Sequence, residues 1–350
     1  MYQIDQWAGG RNRFRNIACA VLLCLSEIIC SGRQDIEAAG IYMQPETDTF
    51  IESSENNGFI PDGYSNQLRD YIPGTYGECR ASFLGKYPDG GYQAVIYHEG
   101  KVYVQNMSDT YEIKSTKEIE LELPIWGGVY LGEKNNYIVC GDTYKSDLEG
   151  GGEVYRIIKY DKEFRRLDSI SLTGRDTYTK VPFDGGNVSM DESGNFLTVY
   201  TSRMRTDGHQ TNIAICINTD DMTVDHTSGA AYVEDSFRQI CKYDQEEPVY
   251  VDVADAEPLR SVYIQFGGKG TPLVDLAGES GGSASDNGEL SGLGISDTDY
   301  LVVGSYIKDE IYNIYLSVIN KNSREVKKRW LMESSEFSAK VSANQQITKL

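Results

Sequence analysis

Basic side chains are scarce in this sequence. Its 350 residues contain 33 lysines and arginines against 53 aspartates and glutamates, so the formal net charge is −20. A surface with this balance repels phosphate groups, which argues against binding to nucleic acid or an anionic membrane by electrostatic attraction. The same surplus of acid attracts cations, including calcium wherever carboxylates converge.

Metal-binding and redox signatures are also missing. None of the 7 cysteines forms a CxxC pair, so neither a zinc site nor a redox dithiol is indicated. His98 and His226 are predicted to lie in turns without a second histidine nearby, and we expect both at the surface. Three cysteines fall in the N-terminal apolar segment. The remaining cysteines are predicted to be buried free thiols at strands or strand edges: Cys79, Cys140, Cys216 and Cys241.

Proline is infrequent as well, with 9 copies, and 40% of the residues are hydrophobic, enough to build the core of one large β domain.

Between residues 80 and 332 a pattern of turn, β-rich run, loop and second β-rich run recurs five times, at intervals of roughly 45–60 residues. Runs with small residues precede the pairs, such as residues 127–131 and 292–295, and suit inner strands around a channel. Four strands per unit predict an all-β fold, a β-propeller with five four-stranded blades. A β-sandwich built from the same hairpins is the alternative.

The central strand pair of each unit is rich in β-branched and aromatic residues. These pairs span residues 92–97 with 101–105, 137–140 with 154–160, 196–200 with 213–217, 249–253 with 261–266, and 300–303 with 314–319. Residues 337–350 resemble the first strand of a partial further blade. Either residues 58–77 supply its missing strands or the chain is truncated at the C-terminus, and the strand-like end favours truncation.

The N-terminus has the features of an export signal. Within residues 1–32, three arginines precede an apolar stretch that is too short, and too interrupted by Glu27, for a transmembrane span. A cleaved signal is the first interpretation, and a lipid anchor on Cys30, which would tether the chain to a membrane, is the rival. Residues 33–65 are predicted to form an acidic flexible spacer ahead of a propeller domain at 66–350. We therefore expect an exported protein, extracellular or attached to the cell surface.

The densest polar cluster falls between the two central strands of the third unit. In a propeller, loops that join second to third strands open on the face where ligands usually bind. Arg203 and Arg205 could hold a carboxylate, sulfate or phosphate, and His209 could transfer protons near neutral pH. Asp207 begins an Asp-Gly turn that presents His209 and Gln210. These five residues are the predicted ligand site, and a solvated hairpin loop is the alternative.

The matching loop of the second unit, residues 142–153, is acidic and contains three glycines. Asp142, Asp147 and Glu149 offer oxygen ligands suited to calcium, although their spacing does not match an EF-hand. The loop also lacks the Lys-Ser/Thr that would follow the glycines in a phosphate-binding loop. A calcium site is one interpretation, and a mobile acidic loop is the other.

Two segments resemble known families. Residues 189–196, Ser-Met-Asp-Glu-Ser-Gly-Asn-Phe, resemble the Asp-box turn of sialidase-like propellers, where the motif marks a structural turn. Residues 200–224 resemble a segment of uncharacterised exported β-propeller-like proteins of anaerobic Gram-positive bacteria. The second resemblance implies a surface-exposed propeller and no established activity. It also implies a shared polar cluster: Arg203, Asp207, His209 and Gln210.

No trio of acid, base and nucleophile is evident in the sequence. We therefore expect a non-enzymatic binding or interaction module that recognises a glycan, peptide or protein partner and uses no cofactor. The alternative is a hydrolase or lyase acting on an anionic polymer, with the two arginines orienting the anion. In that case His209 needs a carboxylate such as Asp142 or Asp252 within hydrogen-bond reach. A structural segment of a larger surface protein is a third interpretation.

Overall fold

The computed structural model describes residues 82–334, except 88–89, 185–187, 230–237, 255–260, 268, 277–287 and 309–310. The chain divides into two compact units, Met1–Gly40 and Ile41–Leu350, and every described residue belongs to the second. The predicted export signal, spacer and partial further blade lie outside the described residues, as does Cys79. Within the described ranges, no helix combines the length and apolar character needed to cross a membrane.

The described residues form five antiparallel sheets, each a meander of four strands in chain order. Sheet 1 contains β1 (Ser82–Lys86), β2 (Tyr92–His98), β3 (Lys101–Met107) and β4 (Ile113–Glu120). Sheet 2 contains β5 (Ile125–Leu131), β6 (Asn136–Gly141), β7 (Glu153–Tyr160) and β8 (Arg166–Thr173). Sheet 3 contains β10 (Val188–Ser193), β11 (Phe196–Arg205), β12 (Gln210–Asn218) and β13 (Thr223–Ser228), with a short extra strand, β9 (Thr179–Pro182), paired with β11.

Sheets 4 and 5 repeat the same plan. Sheet 4 contains β14 (Ile240–Asp244), β15 (Glu247–Ala254), β16 (Ser261–Phe266) and β17 (Lys269–Asp275). Sheet 5 contains β18 (Gly288–Ile295), β19 (Asp299–Lys308), β20 (Ile311–Asn320) and β21 (Val326–Ser334). A one-turn helix, α1 (Gly174–Thr177), and a 3₁₀ turn, Glu149–Gly151, interrupt the connections. All five predicted central pairs are confirmed as second and third strands.

The sheets are arranged as the blades of a propeller. The first strands of sheets 2 to 5 lie side by side, because β10 contacts β5 and β14, and β14 contacts β18. Second and third strands such as β6 and β16 are buried along their full length, whereas the outer strand β13 is exposed throughout. This gradient from a buried centre to a solvated rim explains why the central pairs are apolar on both faces. The predicted propeller with five four-stranded blades is confirmed.

The meander fixes where the loops emerge. Successive strands of an antiparallel meander run in opposite directions. The loop from the second to the third strand therefore lies at the same end of the sheet as the connection from the fourth strand to the next sheet. We call this end the upper face, and in sheets 2 and 3 it carries residues 142–152, 174–184 and 206–209. The turn predicted from the Asp-box resemblance lies between β10 and β11, at the opposite end.

The hydrophobic core is divided between groups of sheets. One cluster of buried side chains extends through sheets 1 to 3 and includes Trp126, whose ring stacks 4.8 Å from that of Tyr97. A second cluster joins sheets 4 and 5. Between sheets 3 and 4 lies a small cluster: Tyr200, Ala214, Cys241 and Tyr250. Cys140, Cys216 and Cys241 are buried free thiols, as the sequence predicts.

Polar groups complete the junction between sheets 3 and 4. The fully buried carboxylate of Asp252, in β15, accepts a hydrogen bond of 3.0 Å from the Tyr200 hydroxyl of β11. Its other donors are the Tyr263 hydroxyl, the Asn212 and Gln239 side-chain amides, and the backbone N–H groups of Arg238 and Val253. Burial beside this carboxylate raises the pKa of Tyr200, which therefore stays a hydrogen-bond donor.

Asp191 forms a second polar link between blades. Its Oδ1 accepts a 3.1 Å hydrogen bond from the Tyr130 hydroxyl of β5, and its Oδ2 accepts one of 2.7 Å from the Tyr243 backbone N–H of β14. One side chain of sheet 3 thus connects the first strands of sheets 2 and 4. The aspartate of the Asp-box-like segment has a structural role here.

We expect Tyr200→Phe to lower the free energy of unfolding by about 1–3 kcal/mol, because it removes a donor from buried Asp252 and an acceptor from Asn212. Chemical denaturation followed by circular dichroism measures the change. Tyr111→Phe, at a ring that is 45% exposed, is the matched control and should leave stability near that of the wild type. Equal stability of the two variants would contradict a stabilising role for the Asp252 network.

Candidate functional site

Three segments of the upper face are joined by backbone hydrogen bonds. Tyr144 N–H donates to the Lys180 carbonyl at 2.8 Å, and Gly174 N–H donates to the Gly152 carbonyl at 3.1 Å. On the other side, Thr206 N–H donates to the Tyr178 carbonyl at 3.1 Å. Residues 174–182 therefore connect the predicted calcium loop to the predicted ligand loop. We call this combined surface, residues 142–152, 174–182 and 205–209, the composite face.

The hairpin turn at 206–209 is closed by local hydrogen bonds. Gly208 N–H donates to the Arg205 carbonyl at 3.0 Å, and Gly208 has a φ of +91° that glycine adopts without strain. The Arg205 guanidinium pairs with Asp207 at 2.7 Å, and both side chains are exposed. Asp207 Oδ1 also accepts the His209 backbone N–H at 3.2 Å, while the His209 side chain is exposed. The Asp-Gly turn is as the sequence predicts.

Arg203 and Gln210 lie below this turn rather than in it. Arg203 is buried, because β9 pairs alongside it, and its Nη1 donates to the Thr177 carbonyl. Burial lowers the pKa of Arg203. Gln210 Nε2 donates to the Asp184 carbonyl. The five predicted ligand residues therefore separate into an exposed trio, a buried arginine and a half-buried glutamine, and their role in binding stays a prediction.

The acidic loop of sheet 2 is organised by a lysine and by glycines. Asp142 Oδ2 lies 2.5 Å from Lys145 Nζ, and Asp142 Oδ1 accepts the Thr143 backbone N–H at 2.7 Å. Asp147 and Glu149 are exposed. Three consecutive positive φ angles, at residues 150–152, let the chain turn tightly beneath Tyr144. Calcium binding by Asp142, Asp147 and Glu149 stays a prediction.

Asp184, which sequence reasoning missed, is a buried acid at the inner edge of this region. Its carboxyl is 1% exposed, and its Oδ2 has no hydrogen-bond partner among the described residues. Burial raises the pKa of Asp184 to about 7. Burial raises the pKa of the Tyr155 hydroxyl to about 12, and the charges of Arg203 and Asp184 also act on this group. A carboxyl that titrates near neutral pH can donate or accept a hydrogen bond.

Tyr178, also missed, is the most prominent aromatic side chain of the composite face. It is 66% exposed and follows α1 in the left-handed conformation, with φ 53° and ψ 30°. Left-handed backbone is uncommon for a non-glycine residue. Here it is the conformation in which the chain leaves α1, with the Tyr178 backbone N–H bonded to the Arg175 carbonyl. The sequence could have indicated Tyr178 through chain topology. The residue lies in the connection between sheets 2 and 3, and that connection must emerge at the upper face.

The two carboxylates considered as partners for His209 have other roles. Asp142 pairs with Lys145, and Asp252 belongs to the network at the junction of sheets 3 and 4. His226, expected in a turn, lies instead in β13, where its imidazole is exposed as predicted. His98 ends β2.

No family model and no curated protein matches this chain. Among solved structures, it is similar to hydrazine synthase from Kuenenia stuttgartiensis, with 14% identity over 68% of this chain and 63% of that one and a TM-score of 0.43. It is also similar to a bifunctional GH43-CE protein of Bacteroides eggerthii, with 10% identity, coverage of 74% and 48%, and a TM-score of 0.35. A thermostable family-43 glycoside hydrolase shows 11% identity, coverage of 60% and 71%, and a TM-score of 0.34.

The chain spans less than two thirds of the hydrazine synthase chain and about half of the Bacteroides chain. These likenesses assign neither an activity nor a ligand to it.

We expect Asp184 to make stability depend on pH. Folded Asp184 keeps its proton up to about pH 7, whereas in the unfolded chain it loses the proton near its ordinary pKa of about 3.9. The free energy of unfolding should therefore fall as pH rises between these values, by about 4 kcal/mol in total. Denaturation of wild type and Asp184→Asn from pH 4 to pH 8 should show a smaller slope in the variant.

The exposed Asp220 provides the control, because Asp220→Asn should keep the wild-type slope. Identical slopes for wild type and Asp184→Asn would contradict a neutral buried carboxyl.

Proposed function

We propose that this chain is an exported β-propeller that binds a glycan on its composite face, without catalysing a reaction. The observation that carries the proposal is the Tyr178 ring, exposed and held in a left-handed backbone beside the hairpin turn. Sugar rings have apolar C–H faces that pack on an aromatic ring, and hydroxyl groups that need polar partners at its edge. Tyrosine supplies such a contact area with little loss of conformational entropy.

Polar side chains suited to hydroxyl recognition lie in the hairpin turn whose backbone is bonded to Tyr178. The Tyr178 carbonyl is bonded to Thr206, and the same turn carries the Arg205–Asp207 pair and the exposed His209. A paired guanidinium and carboxylate present donors and acceptors side by side, which matches vicinal hydroxyls better than it matches a lone anion. The predicted ligand residues Arg205, Asp207 and His209 are thus assigned to the edge of a sugar site.

Charge favours a neutral glycan over an anionic one. The chain carries a formal net charge of −20, Arg205 is already paired with Asp207, and Arg203 is buried against the Thr177 carbonyl. An anionic polymer would have to overcome the overall repulsion without a free arginine at these two positions. Export, and membership of the exported propeller-like proteins that residues 200–224 resemble, are parts of the same proposal and rest on the sequence alone.

We expect Tyr178→Ala to weaken binding to a glycan about tenfold, because an aromatic contact contributes roughly 1–1.5 kcal/mol. The experiment is a glycan-array screen with the full-length chain, followed by calorimetry with the bound glycan. Tyr178→Phe keeps the ring and should bind nearly as well as the wild type.

Tyr111→Ala is the matched control, since Tyr111 is also exposed and also has a positive φ, of 65°, but lies in a loop at the opposite end of its sheet. Absence of glycan binding by the folded wild type, or equal losses in Tyr178→Ala and Tyr111→Ala, would contradict the proposal. Binding of peptides alone would favour the protein-interaction alternative.

A hydrolase or lyase remains the second candidate, and Asp184 is the observation that favours it. A carboxyl with a pKa of about 7 is matched to general acid catalysis near neutral pH. Its backbone carbonyl is bonded to Gln210, which places it at the base of the predicted ligand loop.

If the chain is an enzyme, Asp184→Asn should abolish release of reducing ends from a bound polysaccharide while binding persists, and wild-type turnover should decline as pH rises through 7. Asp220→Asn should leave turnover unchanged. Polysaccharide that stays intact with the wild type would exclude this candidate and leave the binding proposal standing.

A further inference from the structure

We propose that Cys216, Asp225 and His226 form a binding site for Zn²⁺ on the outer part of sheet 3, away from the composite face. One ligand atom from each of the three side chains lies within 4.8 Å of the other two. Thiolate, imidazole and carboxylate are the groups that bind zinc in proteins, and three protein ligands leave a fourth position for water. CxxC spacing does not apply here, because strand pairing rather than sequence proximity brings the residues together.

A β-bulge creates this arrangement. In the pairing of β12 with β13, Cys216 lies opposite His226 and Ile217 lies opposite Val224, so Asp225 is the additional residue. Adjacent residues of a regular strand point to opposite faces, but a bulge bends the strand and redirects its side chains. Asp225 and His226 can therefore both approach the Cys216 thiol.

The same bulge recurs at the corresponding pairing of three other sheets, which provides an internal comparison. Each bulge involves one residue of the third strand, the fourth-strand residue paired with it, and the additional fourth-strand residue next to that pair. In sheet 1 these are Asn106, Ser115 and Lys114; in sheet 2, Lys159, Asp168 and Leu167; in sheet 5, Val318, Lys328 and Lys327. The bulge is thus a property of the blade, whereas a full set of zinc ligands occurs at this position in sheet 3. Backbone geometry alone does not explain the choice of side chains.

The surroundings suit a bound metal. His226 Nδ1 lies 2.7 Å from Asp225 Oδ2, and both side chains are about half exposed, so they can rotate towards an ion. Cys216 is buried and fixed, and its Sγ lies 3.6 Å from the Tyr243 hydroxyl, which in turn is 2.7 Å from Thr198 Oγ1. Hydrogen bonds of this kind orient metal ligands and tune their affinity. Around a tetrahedral Zn²⁺ the ligand atoms are roughly 3.5 Å apart. Here they lie within 4.8 Å of one another, so the half-exposed Asp225 and His226 side chains reach that geometry by a small rotation.

The test uses full-length, chelator-treated protein titrated with Co²⁺ as a spectroscopic probe for Zn²⁺. We expect one equivalent to bind, with a thiolate-to-cobalt charge-transfer band that Zn²⁺ abolishes. Cys216→Ser should lose the band, and His226→Gln should weaken binding by at least about tenfold. Zn²⁺ should raise the midpoint of thermal unfolding of the wild type more than that of His226→Gln.

His98→Gln is the matched control, because His98 Nε2 lies 3.8 Å from Glu99 and so forms a histidine–carboxylate pair in another blade. It should bind Co²⁺ like the wild type. Since Cys216 is buried and its replacement could affect folding, the exposed His226→Gln and Asp225→Asn variants test the site independently. A wild type without the band, a band that persists in folded Cys216→Ser, or equal affinity of His226→Gln and wild type would overturn the proposal.

Discussion

The connection between sheets 3 and 4 depends on buried hydrogen bonds to carboxylates. Apolar side chains cluster within sheets 1 to 3 and within sheets 4 and 5, but only four apolar side chains cluster between these groups in the described residues. Asp252 and Asp191 complete the junction with donors from neighbouring blades. Because hydrogen bonds are directional and an unsatisfied buried carboxylate is costly, these contacts fix the orientation of sheet 4 in a way that apolar packing does not.

The composite face relies on that rigid frame. Two of its three segments are loops, whereas residues 174–182 contain α1 and the strand β9, which pairs with β11. Backbone hydrogen bonds join the segments to one another, as in the Tyr144–Lys180 and Thr206–Tyr178 pairs. The left-handed conformation of Tyr178 persists because α1 on one side and the hairpin turn on the other determine it. An exposed aromatic ring is thereby presented at a defined position by a segment that connects two blades.

The sequence allowed the blades to be predicted because their signals are local. β-Branched and aromatic runs mark strands, and Asp207-Gly208 marks a turn, whatever lies elsewhere in the chain. Burial of Arg203 could not be predicted, because it results from β9 pairing with β11, and β9 itself has no strong strand signal. Asp184, Tyr178 and the grouping of Cys216 with His226 were missed for a related reason. Each depends on which distant segments the topology places together, and residue type alone does not encode that.

The recurrent bulge shows that the strand geometry at this position does not depend on which side chains occupy it. Four blades place the same three positions around the same bend, yet the residues there range from lysine and leucine to cysteine and histidine without altering the strand pairing. The blade therefore accepts different side chains at this position, since its strand pairing does not require any particular one. A set of ligands assembled in one blade could be transplanted to another by exchanging three residues, which makes the propeller a modular scaffold for protein engineering.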